Sequence, residues 1–125
     1  MADERELVAT LTAALAPVPV HWGLAPFESS GTVPSLPIVV VQRLNYSTVG
    51  YEDMCSEAAY VGDAALVVDM WALGYEGARS LAADVRAAMV DVDGWRLQGE
   101  ADLYEPTFRA WRIQGQWLAA GVAPL

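Results

Sequence analysis

The sequence predicts an α+β domain: an antiparallel or mixed β-sheet with two α-helices packed on one face. Three observations carry this. Strand-like stretches outnumber helical ones and follow one another, in the order α-β-β-β-α-β-β. Only two stretches place apolar residues at helical spacing. Hydrophobic residues make up 54% of the 125 and charged residues 18%, enough apolar surface to offset chain entropy. That length fits a single domain over residues 1–125.

The first helix is expected from Asp3 to about Ala16. Asp3 is an N-cap candidate with Glu6 three residues on, as in a capping box. Leu7, Val8, Leu11 and Leu15 form its stripe, and Pro17 ends it by pushing the preceding residue out of the α region. Val18 to Trp22 reads as a short strand. Ala25 to Pro37 is dense in Pro, Ser and Gly and reads as a loop. Ile38 to Tyr46 is a strand, opened by Pro37 and led by the β-branched run Ile38-Val39-Val40-Val41.

Ser47 to Ser56 reads as a second loop and Glu57 to Ala72 as a long strand, so the pair forms a protruding hairpin. Period two puts Tyr60, Leu66, Val68 and Met70 on one face and Asp63 and Asp69 on the other. Gly74 to about Val90 is the second helix, with Ala78, Leu81, Ala82, Val85, Ala88 and Met89 as its stripe. Gly94 can take the left-handed conformation after it. Trp95 to Asp102 and Phe108 to Leu118 are the last two strands, turning near Glu105-Pro106. On the final strand Trp111, Ile113 and Trp117 share one face, and Arg112, Gln114 and Gln116 the other. Ala119 to Leu125 is small, ends in Pro-Leu, and reads as a loose tail.

Composition removes several chemistries. The chain has 16 acids, seven bases and a formal net charge of −9, and every base is Arg. Without Lys there is no Walker A, Schiff-base or pyridoxal-phosphate lysine. The one His and one Cys cannot build a four-ligand zinc site within a chain. No Ser stands in a G-x-S-x-G elbow. The scattered arginines and negative charge argue against gripping nucleic acid. No apolar run is long enough to span a membrane. The acidic start Met1-Ala2-Asp3-Glu4-Arg5-Glu6 does not read as a secretory signal, and a lone Cys suits a reducing cytoplasm.

The remaining candidates each have a plainer reading. His21 is the only imidazole available as a general base, and without a partner nearby in sequence it reads as structural or surface. Cys55 reads as a spectator thiol. Glu52, Asp53 and Glu57 are oxygen ligands in principle, and equally an exposed hairpin tip. Asp91-Val92-Asp93-Gly94 fails calcium-loop spacing because Met89 stands where the first ligand belongs. Gly74 to Gly77 at a helix start is capping before it is an anion site. Two features resist dismissal. Five Trp are many for this length, and four of them (Trp71, Trp95, Trp111, Trp117) fall in the later strands. Most belong in the core under the helices, and some suit a subunit interface. Arg109, Arg112, Gln114 and Gln116 read as a solvent-facing polar face or equally as the rim of such a contact.

The N-terminal helix is followed by Val20-His21-Trp22-Gly23, a Pro-rich loop and Leu36-Pro37-Ile38-Val39-Val40-Val41. A strand ending Val67-Val68-Asp69-Met70-Trp71-Ala72 then enters Gly74-Tyr75-Glu76-Gly77-Ala78-Arg79, and the helix runs through Val85-Arg86-Ala87-Ala88. Over about residues 5 to 118 this resembles the tail-completion (tail-terminator) proteins of long-tailed bacteriophages and prophages. The resemblance implies a structural, non-enzymatic subunit without catalytic, cofactor or metal residues. It implies a ring, commonly a hexamer, at the head-proximal end of the tail. Its partners would be copies of itself, the tail tube and neck or connector proteins. DNA would pass without specific binding, and no membrane is involved. The place is the virion tail or neck, after synthesis in the bacterial host cytoplasm. Strand edges and Arg- and Trp-bearing surfaces would make the contacts, with the hairpin loop reaching a neighbour or the channel. The candidate interface residues are Arg43, Tyr51, Glu52, Asp53, Glu57, Arg109, Arg112 and Trp117. If the acids line the channel, they repel DNA, which suits transit; on the outer surface they aid solubility. Alternatives are another neck, connector or minor tail protein of this architecture, or a small-ligand or enzymatic domain using His21.

Overall fold

The computed structural model describes residues 4–23, 35–48, 62–92 and 94–122. They form helices α1 (Glu4–Leu15) and α2 (Tyr75–Met89). The strands are β1 (Val20–Trp22), β2 (Ile38–Thr48), β3 (Gly62–Ala72), β4 (Arg96–Glu105) and β5 (Ala110–Val122). The sheet order is β1-β2-β3-β5-β4. β1 runs parallel to β2, while β2–β3, β3–β5 and β4–β5 are antiparallel, so the sheet is mixed and the fold is α+β.

Both helices lie on one face because only that face offers a matching apolar row. α2 buries the stripe read from its spacing: Ala78, Leu81, Ala82, Val85, Ala88 and Met89. α1 adds Leu7, Leu11 and Leu15. Beneath them lie Val39 and Val41 of β2, Leu66, Val68 and Met70 of β3, and Ile113, Trp117 and Ala119 of β5. These are alternate residues of each strand, as the pleat requires.

The opposite face holds a smaller cluster of Ile38, Val40, Trp71 and Ala110, with Leu36 and Phe108 against it. β2 is therefore buried on both faces at its start, and Ile38 to Val41 are each at most 1% exposed. A β-branched run without alternation is the sequence form of a strand covered on both sides. Trp71 meets Phe108 edge-on at 5.9 Å. It lies away from the helices, unlike Trp95, Trp111 and Trp117, because its parity is opposite to that of Met70.

Several boundaries differ from expectation. β5 continues to Val122, which pairs with Gly62, so residues 119–122 are strand rather than loose tail. β4 runs on to Glu105 before a turn in which the Phe108 N–H donates to the Glu105 carbonyl at 3.2 Å. β2 and β3 are the antiparallel neighbours a hairpin requires, and β2 extends to Thr48. Asp3 and the segment 49–61 lie outside the described residues. After α2, the Asp91 and Val92 N–H groups donate to Ala88 and Met89 carbonyls, and Gly94 takes φ +87°. That is the helix-ending turn expected there.

Candidate assembly surface

Among the described residues the outermost strands are β1 and β4, and a sheet edge is the usual route by which a sheet recruits another chain. None of the residues of β4 is buried. Its acids are held by arginines of the same chain. Arg86 donates to both oxygens of Glu100 at 2.8 Å. Arg79 reaches Asp102 at 3.1 Å and Glu100 at 3.5 Å. These pairs are partly exposed, so each stabilises the fold weakly; their effect is to fix where the carboxylates stand.

Aromatic rings complete this edge. Trp111 on β5 meets Tyr75 of α2 at 4.9 Å and Tyr104 of β4 at 5.2 Å. Tyr75 is 41% exposed and Tyr104 49%. The Tyr75 hydroxyl donates to Asp102 Oδ2 at 2.7 Å. That hydrogen bond, with smaller contributions from desolvation and the Asp102 charge, holds the phenol above its ordinary ionisation range; Arg79 acts in the opposite direction. Replacing Asp102 with Asn is expected to bring the Tyr75 titration back toward the ordinary tyrosine range. An alkaline ultraviolet difference titration checks this, with Tyr75→Phe assigning the step; an unchanged titration would show that the bond is not formed.

Of the interface residues expected from sequence, Arg43, Arg109, Arg112 and Trp117 are described. Arg43 on β2 clamps a carboxylate of its own chain: its Nε donates to Glu4 Oε1 at 3.1 Å and its Nη2 to Oε2 at 2.7 Å. Arg112 lies across Trp71, its Cζ 5.3 Å from the ring centroid. It bridges Glu105 at 2.7 Å and Asp69 at 3.7 Å. Arg109 is exposed in the β4–β5 turn with φ +50°. Trp117 is only 6% exposed and belongs to the core under the helices rather than to the surface. Tyr51, Glu52, Asp53 and Glu57 lie outside the described residues, as does Cys55. His21 is half-buried on β1, in register with Val40.

Among the described residues, no group of three or more His, Cys, Asp or Glu comes together to hold a metal ion. No described helix is long and apolar enough to cross a membrane. No family model matches the chain, and no curated protein matches it in sequence. Among solved structures it is similar to a chain from the virion of a native gene transfer agent particle. The identity is 18% and the TM-score 0.47, covering 90% of this chain and 84% of that one.

Proposed function

We propose that this chain is a structural subunit of a bacteriophage or prophage tail, a tail-completion protein. In this reading it assembles as a ring, commonly of six, between the tail tube and the neck or connector. The observation that carries the reading is the junction of β3 and α2. There the stretch with the densest family resemblance, Trp71-Ala72 through Gly74-Tyr75-Glu76 to Arg79, forms a continuous strand-to-helix corner. The corner leaves Leu73 68% exposed, while Tyr75, 41% exposed, reaches Asp102 of β4 and Trp111 of β5. Exposed apolar surface at this corner suits contact with another chain.

If acids line the channel of such a ring, they would repel passing DNA; segment 49–61, with three acids and no base, is one source of them in the sequence. Light scattering across a concentration series tests the reading, with negative-stain images of the purified protein. Closed rings with a central hole are expected. A strict monomer at high concentration, with no ring when tail tubes are added, would overturn it.

A further inference from the structure

Head-to-tail rings need two unlike surfaces on each chain, whereas a patch that meets its own copy closes a two-fold dimer. The sheet presents an unlike pair at its opposite edges. Beside β1, helix α1 and the strand flank a groove of about 340 Å³ lined by Arg5, Val8, Ala9 and Trp22. Its walls are apolar apart from the Arg5 guanidinium, and Trp22 is 37% exposed. At β4, Tyr104 projects from the far edge, 49% exposed and leaning on Trp111. Glu100 and Asp102 precede Tyr104 on the same row of the strand.

We propose that the β4 edge of one copy docks on the α1–β1 groove of the next. Tyr104 is the anchor in the groove, and Arg5 at its rim faces Glu100 and Asp102. The proposal rests on the ring reading and names the surfaces that would close the ring. Three arguments favour a second copy as occupant. The groove carries a cation and the approaching edge carries carboxylates. Arg79 and Arg86 already hold those carboxylates in place, and Glu100 Oε2 and both Asp102 oxygens, each accepting from one donor, keep acceptor capacity for another. The tyrosine is braced by Trp111 before contact, which lowers the entropy lost on docking. Pairing β4 with β4 about a two-fold axis would instead leave the apolar groove beside β1 uncovered.

The test uses full-length protein in a Cys55→Ser background. Ala13→Cys, one turn along α1 from Ala9, and Ala101→Cys on β4 are made as separate variants. Both positions are exposed alanines. With a short bis-maleimide, the mixture is expected to give a cross-linked pair that neither variant gives alone. The variant carrying both cysteines should give a ladder of multimers. Tyr104→Ala is expected to weaken self-association by about thirtyfold or more, with the circular dichroism spectrum unchanged. Cross-linking of Ala101→Cys alone would overturn the proposal in favour of a two-fold contact. Self-assembly with no cross-link in the mixture would overturn the contact and leave the ring reading standing. A chain that stays monomeric would overturn both.

Discussion

Trp117→Ala is expected to remove about 3–5 kcal/mol of stability, a loss read directly by urea or thermal unfolding. The indole is 6% exposed and lies in the helix-side core with Leu66, Val68 and Ile113. Its neighbour on the same row is Gly115. A Cβ there would stand 3.3 Å from the Trp117 Nε1 and 3.7 Å from the Leu97 side chain, so the strand is shaped to let the ring lie flat across it. Truncation leaves a cavity bounded by three strands and the helices above, which cannot collapse without moving the sheet. In a domain of this size the midpoint should fall by roughly 10–20 °C. The prediction also separates two roles. A surface Trp at a subunit contact would lose assembly with little loss of monomer stability. Trp117 should lose both, assembly failing because the fold fails. A change below about 1 kcal/mol would place the ring outside the core.

The parts legible in the sequence were those set by periodicity. The α2 stripe, the inward row Leu66, Val68 and Met70, and the shared face of Trp111, Ile113 and Trp117 follow from spacings of 3.6 and two. The end of β5 was not legible, because Leu118-Ala119-Ala120-Gly121 carries no alternation. Its strand state comes from pairing with β3. The polar face of β5 reads in the sequence as solvent-facing or as a rim, but Arg112 lies over Trp71 and bridges two acids. Those partners lie on β3 and β4, and nothing in the local sequence points to them. The β4 edge is a similar case. Tyr75, Arg79, Arg86, Glu100, Asp102, Tyr104 and Trp111 come from three elements, and only the fold brings them together.

Arg43→Ala should cost about 3 kcal/mol, near the lower end for breaking a buried pair, because Arg43 itself is 35% exposed. Its partner is the reason for so large an effect. Glu4 stands in the first turn of α1 and is 0% exposed. The helix N-terminus favours a carboxylate there, but burial is tolerable only because Arg43 grips both oxygens. Without the guanidinium, Glu4 is left as a desolvated charge, and the helix start must lift to reach water. The reverse change, Glu4→Ala, should cost less, since Arg43 can turn outward. The double variant Glu4→Met with Arg43→Met should recover most of the loss, because two thioethers can fill the space without a charge to desolvate. Urea unfolding of the three variants gives the coupling. A loss below about 1 kcal/mol for Arg43→Ala would show the pair behaving as a surface salt bridge. The same clamp holds the N-terminal end of α1, one wall of the groove beside β1. Arg43→Ala is therefore also expected to weaken self-association under conditions where the monomer remains folded. Tyr104→Ala, at the opposite edge, should weaken it without the loss of stability.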